Sequence, residues 1–345
     1  MKQKLKLKLD TSPLASGHRF RGIGAYTRFL LQELNRLDQV ELVEDEKVAD
    51  VIHYPFFDLF FNTLPLKKPG KKVVVTIHDV IPLVFPKNYR PGVKGSLRLM
   101  AQITKLKLVD AVITDSKNSK KDIINYLKVP FGKIHPVYLA PNPEIKPLGL
   151  KAKNQVKRKY SLPKKYLLYV GDINYNKNIP FLIKSLKYLP YQFKLVLVGK
   201  NFMPQAIPEW EAIEKQLALS DVADRVKFLT NVDSSQDLAG IYANALVYVS
   251  PSLYEGFGLP VLEAMRAKTP VISLKNSSIP EIAGDKITYL NDENPEKLAE
   301  LIEAIDRLPM SKRIKLINQA YEHSQQFSWV KTAQETVEVY ARLLK

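Results

Sequence analysis

Two carboxylates, Glu255 and Glu263, stand eight positions apart in the stretch Ser250 to Pro270, SPSLYEGFGLPVLEAMRAKTP, with a glycine-rich turn and a proline between them. A carboxylate accepts hydrogen bonds from two hydroxyls at once, so the first suits a sugar and the second a ribose diol. The flanking residues predict a phosphate site beside them. Ala245 to Ser250 (ALVYVS) is an apolar, β-branched run with the length of a buried parallel strand. Gly256 and Gly258 permit backbone conformations closed to other residues, and Pro260 fits the first turn of a helix predicted to begin at about Leu259. Strand, glycine turn and helix aim backbone N–H groups, among Gly256, Phe257, Gly258 and Leu259, and the positive end of a helix dipole at a phosphate. The combination suits a nucleotide sugar. Spacing alone equally admits a tight turn with two solvated glutamates.

The wording of Tyr254 to Glu263 resembles the Glu, seven residues, Glu motif of the retaining nucleotide-sugar glycosyltransferases of family 4. The resemblance runs along nearly the whole chain and is nearest to bacterial mannosyltransferases. It implies an α/β chain of the GT-B type, with two facing Rossmann-like, doubly wound domains and a cleft between them. It also implies the roles of Glu255 on the sugar and Glu263 on the ribose.

Composition agrees with two domains. The chain has 345 residues, 46% of them apolar, enough for two cores. An N-terminal domain is expected over 1–145 and a nucleotide-sugar domain over 150–327, with a closing helix, 328–345, packing back on the first. Pro136 to Leu150, with four prolines, reads as the extended linker. There is no cysteine, so disulfides and thiolate metal sites are excluded. No apolar run approaches the length of a membrane span, and the start, KLKLKLD, reads as a strand rather than an export signal, so a cytoplasmic location is expected. The net charge of +17 is uneven: residues 1–150 carry 25 Lys and Arg against 14 Asp and Glu, the remainder 27 against 21. Such a field favours anionic partners. No aromatic RNA-binding signature accompanies it, so nucleic acid is not expected.

In the first domain, Lys4 to Asp10 alternates lysine with leucine, which reads as an edge strand or one with its lysines at the ends. RGIGAYTRFLLQEL follows, with Gly22 and Gly24 at a predicted strand-to-helix turn and Arg21 beside them; by resemblance these glycines lie near the donor phosphates and acceptor. The acidic stretch VELVEDEKVAD is short where a further strand and helix are expected by resemblance, so this domain reads as trimmed. His53, ending the run VIHY, reads as a packed histidine, whereas His78 stands at the carboxyl end of the buried strand KVVVTI, where doubly wound folds bind ligands. HDVIPLVFP resembles the family's histidine loop, which implies that His78 faces the transferred sugar from the opposite wall and stabilises its oxocarbenium-like form. The helical run Gly95 to Asp110 reads as core-facing with a solvated face, or as a basic amphipathic surface that touches membrane.

In the second domain, Lys177 in GDINYNKNIPFL stands where the family has a lysine on the donor diphosphate, and its ammonium would stabilise charge growing on the leaving phosphate. Where relatives carry an arginine near this lysine, the chain has Asp172 and Asn176, so Arg21 or Lys200 is expected to stand in at the phosphate. The loop Thr230 to Asp233, with Val232, resembles the backbone that contacts the base. Ser277 and Glu281 are further polar residues in the loop NSSIPEIAG. Trp329 opens the closing helix as an inter-domain anchor.

These readings converge on transfer of a hexose, mannose from GDP-mannose or else from a UDP-hexose, with retention and without a metal or other cofactor, since no Asp-x-Asp pair occurs. Saccharide or lipid-linked acceptors in cell-surface polysaccharide synthesis, and peripheral contact with an anionic membrane, are the expected partners. The alternatives are a nucleotide-sugar epimerase of the same fold and a non-catalytic basic protein that binds polyanions or membrane.

Overall fold

Short runs of Val, Ile and Leu recur along the chain between amphipathic stretches, and each becomes a strand buried on both sides of a parallel sheet. The computed structural model describes residues 4–15, 22–69 and 71–345. The strands are β1 Leu5–Leu9, β2 Val40–Leu42, β3 Val51–Tyr54, β4 Lys72–Thr76, β5 Ala111–Thr114, β6 Ile134–Pro136, β7 Tyr166–Val170, β8 Lys194–Val198, β9 Val226–Leu229, β10 Val247–Ser250, β11 Val271–Leu274 and β12 Thr288–Leu290. They form two six-stranded sheets, in the orders β2-β1-β3-β4-β5-β6 and β12-β11-β10-β7-β8-β9. Every observed pairing is parallel, and helices fill most of the crossovers, those from β2 to β3 and from β3 to β4 being loops among the described residues.

The chain divides into two units, Met1–Ala140 with Phe327–Lys345, and Pro141–Gln326. In the first, Val73, Val75, Ile77, Val112 and Ile134 meet Leu106, Ile123 and Leu127 in one core cluster. In the second, Leu167, Leu195, Leu197, Val247, Val249 and Ile272 pack with Leu182, Ile183, Trp210 and Ile302. Each fully buried aliphatic side chain contributes about 1.5–3 kcal/mol relative to exposure. The helix Trp329–Leu343, capped by Ser328 Oγ accepting from the Lys331 N–H, belongs to the first unit. There Trp329 packs against Tyr26 and Phe29, so it anchors the last helix within that unit.

Three readings from the sequence change. β1 is an interior strand, flanked by β2 and β3, and its lysines are not at an edge. Lys8 is only half-buried because its stem carries the ammonium out to the Glu44 carbonyl (2.8 Å) and Glu46 (3.7 Å). The acidic stretch after residue 37 supplies β2 but no helix. β2 and β3 flank β1, and the turn between them is tied down by Asp50, which accepts from the Lys6 N–H at 2.9 Å. Gly22 and Gly24 lie inside the helix Gly22–Leu34, in its first turn, rather than in a turn before it.

Candidate active site

The order of the second sheet reverses at β7, with β8 and β9 on one side and β10 to β12 on the other. Such a switch point opens a crevice at the carboxyl ends of the strands, because the two connections leave in opposite directions. The loop after β7 carries Lys177 and the loop after β10 carries Glu255, and across the switch point their side chains meet. Lys177 Nζ donates to Glu255 Oε1 at 2.7 Å and Oε2 at 2.8 Å, with the two side chains only 19% and 13% exposed. A two-oxygen charge-assisted contact of this length, partly withdrawn from water, is among the stronger polar interactions available to a side chain.

The turn that holds Glu255 is built by neighbours. The Glu255 N–H donates to Ser277 Oγ (2.9 Å), and Ser278 Oγ donates to the carbonyls of Glu255 (2.9 Å) and Phe257 (2.8 Å). Asn276 Nδ2 holds the Ser252 carbonyl (2.9 Å), and Asn176 Nδ2 holds that of Tyr254 (2.8 Å). Gly258 sits at φ +106°, and a Cβ there would lie 2.5 Å from Ile279 Cδ1, so backbone and packing both demand glycine. Beyond it the helix Leu259–Arg266 starts with Pro260 in its first turn, as the sequence predicts.

Glu263 lies one turn into that helix and accepts from Tyr242 OH at 3.1 Å. Burial raises its pKa from 4.5 to about 7, the hydrogen bonds from Tyr242 and the Asn142 backbone opposing the rise. The residue keeps some solvent contact, which discounts the cost of its charge. The Asn142 backbone therefore has a place beside Glu263.

The two departures from the family pattern have structural duties. Asn176 is 3% exposed and fastens the Glu255 loop, through its side chain to Tyr254 and through its carbonyl to the Leu253 N–H (2.7 Å). Asp172 accepts from Asn201 Nδ2 and from the Ile173 N–H (3.1 Å). Lys200 is exposed after the carboxyl end of β8, next to Gly199, whose Cβ position lies 2.1 Å from the Gly171 carbonyl oxygen. Val232 is half-buried in the loop after β9, and Glu281 is half-buried in the short helix Ile279–Ala283. All of these lie at the carboxyl side of one sheet. Arg21 lies outside the described residues.

In the first unit the parallel register sets Thr76 opposite Ile113, so continuing two residues brings His78 beside Asp115. The His78 Nδ1 meets Asp115 Oδ2 at 2.9 Å and Oδ1 at 3.1 Å, with Asp115 buried. Burial is the largest influence on His78 and lowers its pKa. Asp115, through charge and hydrogen bond, Asp79 and the Pro55 carbonyl together outweigh it, so the net shift is upward. The Nε2 makes no well-aligned hydrogen bond. Tyr26 meets the ring edge-on at 4.8 Å and bonds to Thr76 Oγ1 (3.0 Å). His53 is packed: its Nε2 meets Thr76 Oγ1 at 2.8 Å and its Nδ1 meets Tyr340 OH at 2.6 Å, and burial, aided by His78, lowers its pKa to about 3.

Sequence reasoning passed over Asp115, Tyr242 and Ser278 as site neighbours. A signal for Asp115 was present: two adjacent strands, KVVVT and AVIT, each followed at the same register by a residue that can carry charge.

Residues 151–323 match the family described as glycosyl transferases group 1, and residues 11–144 match glycosyltransferase family 4. The chain belongs to the group 1 glycosyl transferases. It is 26% identical over 298 residues to the serotype-specific mannosyltransferase WbdA of Escherichia coli, an alignment covering 84% of this chain and 36% of WbdA. The chain thus spans about a third of the length of that relative. It is 28% identical over 281 residues to the O-antigen chain mannosyltransferase B of Escherichia coli, covering 79% of this chain and 71% of that one. Among solved structures, Anabaena Alr3699/HepE in complex with UDP and glucose superposes with a TM-score of 0.74 at 16% identity, covering 98% of this chain and all of that one. The fold of this group 1 transferase is accordingly GT-B α/β.

Proposed function

We propose that this group 1 chain is a retaining hexosyltransferase. It moves mannose from GDP-mannose, ahead of a UDP-hexose, to a saccharide or lipid-linked acceptor in cell-surface polysaccharide synthesis, without a metal. The observation that carries the proposal is the Lys177–Glu255 contact at the switch point of the second sheet, in the loop that leads into the helix carrying Glu263. The mannosyltransferase names of WbdA and of the O-antigen enzyme support the choice of sugar.

The roles follow from the chemistry of each group. Lys177 binds the donor diphosphate and takes up charge as the phosphate leaves. Glu255 accepts from the hexose hydroxyls and Glu263 from the ribose diol. The backbone of Gly256, Phe257, Gly258 and Leu259 faces the phosphates, and that of Val232 faces the base. His78 steadies the oxocarbenium-like sugar, Gly22 and Gly24 keep main chain open to the ligand, and Arg21 and Lys200 add positive charge for the phosphates. The bond from the anomeric carbon to the phosphate oxygen breaks as that to the acceptor oxygen forms on the same face, and the acceptor proton passes to the leaving phosphate. Work takes place in the cytoplasm, at the inner face of the membrane.

Incubation with GDP-mannose and lipid-linked saccharides, followed by mass spectrometry and NMR of the product, tests this reading. The expected product carries one added α-linked mannose. Release of a rearranged free sugar with no acceptor present would point to an epimerase instead. Thermal stabilisation by UDP and not by GDP would remove the mannose assignment.

A further inference from the structure

Tyr340, His53, Thr76 and Tyr26 are polar side chains of the first unit that no step of the transfer uses, and none is more than 2% exposed. They come from four elements: the helix Trp329–Leu343, β3, β4 and the helix Gly22–Leu34. Packing brings them into one line. Tyr340 OH meets His53 Nδ1 at 2.6 Å, His53 Nε2 meets Thr76 Oγ1 at 2.8 Å, and Thr76 Oγ1 meets Tyr26 OH at 3.0 Å. An imidazole with a single N–H donates at one nitrogen and accepts at the other, so every link can have its donor and its acceptor.

Burial, aided by His78, lowers His53 to about 3, and burial raises both phenols, so the line stays neutral at physiological pH. A buried polar network whose members are all paired stiffens the elements it joins. The last helix reaches Tyr26 a second way, through Trp329, whose ring centre lies 6.1 Å from that of Tyr26. Trp329 and Tyr340 are separated by about three helical turns and so share a face of that helix.

The line ends on His78. Tyr26 meets the imidazole ring to ring, at 4.8 Å and an interplanar angle of 87°, while its hydroxyl bonds to Thr76. This last link is thus a contact of rings rather than a path for protons. Asp115 holds the His78 Nδ1, and one attachment leaves an imidazole able to tilt about it. A second ring set perpendicular to the first removes that freedom, in an arrangement that aromatic quadrupoles favour. We propose that Tyr26 is a positioning residue for His78, setting the plane of the imidazole, and that Tyr340, through His53 and Thr76, keeps Tyr26 in place. The last helix thereby acts on the His78 site through Tyr26. The proposal rests on the reading of His78 as the group that steadies the sugar.

The test joins NMR of the His78 ring in the full chain with transfer kinetics from GDP-mannose. Tyr340→Phe cuts the line at its far end and should still move the His78 ring resonances. Tyr26→Leu should lower kcat about tenfold and Tyr26→Phe, which keeps the ring, about threefold, with donor KM as in wild type. In a His78→Ala background the same Tyr26 substitutions should cost less than about twofold, because the group they position is gone. A line that only stabilises the unit would lower melting temperatures, leave the His78 resonances of Tyr340→Phe unmoved, and make Tyr26→Leu cost as much without His78 as with it. Either of the last two results would overturn the proposal. Wild-type kcat in His78→Ala would overturn the reading of His78 beneath it as well. The resonances are read without any sugar transfer, so failure of the line and failure of the transferase reading are separate results.

Discussion

The two units bring charged groups together at the carboxyl ends of parallel strands by different means. In the first, register suffices: β4 and β5 lie side by side, and the residues that follow at the same level, His78 and Asp115, are already in contact distance. In the second, Lys177 and Glu255 come from loops on either side of a switch point, and a scaffold of Ser277, Ser278, Asn276 and Asn176 holds the Glu255 turn in place. A site set by register tolerates loop changes. One set by loops depends on every side chain that fastens them. The distinction predicts where substitutions will be felt beyond the residue replaced.

The largest effect is expected at the loop-built site. Glu255→Ala should lower kcat for transfer by about 10²–10³, since it removes the group proposed to hold the sugar and leaves Lys177 unmatched. Steady-state donor consumption in the presence of acceptor checks this, and a loss below tenfold would remove Glu255 from the chemistry. Next comes Asn176→Ala, a residue given no contact with substrate. It strands the Tyr254 carbonyl, which should cost about 1–3 kcal/mol of stability, and it should raise donor KM about tenfold through the loosened turn. Wild-type melting temperature and KM would show that the scaffold is not needed.

At the register-built site, Asp115→Asn should leave the fold intact and lower the His78 pKa, because the carboxylate charge that outweighs burial is gone. Transfer should fall about tenfold. His78 in the wild type contributes stability that is complete below its unfolded value of 6.5 and is lost as pH rises through the higher folded value. A His78 titration by NMR that does not move in the variant would break the contrast between the two sites.

A smaller effect belongs to Glu263. Its folded pKa of about 7 lies above the model-compound value of 4.5, so the folded state holds the proton more tightly than the unfolded chain between those values. The associated stability is fully present below pH 4.5 and is lost as pH rises through about 7, at most about 3 kcal/mol before discounting for solvent contact. Denaturant unfolding of Glu263→Gln should show that part of the pH dependence flattened, with the variant more stable than wild type at pH 8.

Much of this was legible in the residues. The strands KVVVT, YLLYV and VYVS are apolar on both faces, and a helix start at Leu259 follows from Gly258 and Pro260. Gly258 also shows how far such reading reaches, because its φ of +106° and its closeness to Ile279 make glycine obligatory. Gly22 does not: open space surrounds its Cβ position, so nothing in the protein itself calls for glycine there. The interior place of β1 was not legible, because alternating lysines argue for an edge and only Lys8's reach to Glu44 and Glu46 reconciles them with two neighbours. Nor was the work of Asn176 and Tyr242, since each depends on a partner 78 or 21 positions away.

In the proposed mechanism Lys177 grips a sugar-bearing diphosphate. Isothermal titration of GDP-mannose and GDP into wild type and Lys177→Ala measures that grip without needing an acceptor. Both ligands should bind wild type, and the variant should lose about tenfold or more in affinity for each, the worth of a charge-assisted contact. Equal affinity in the two proteins would contradict it.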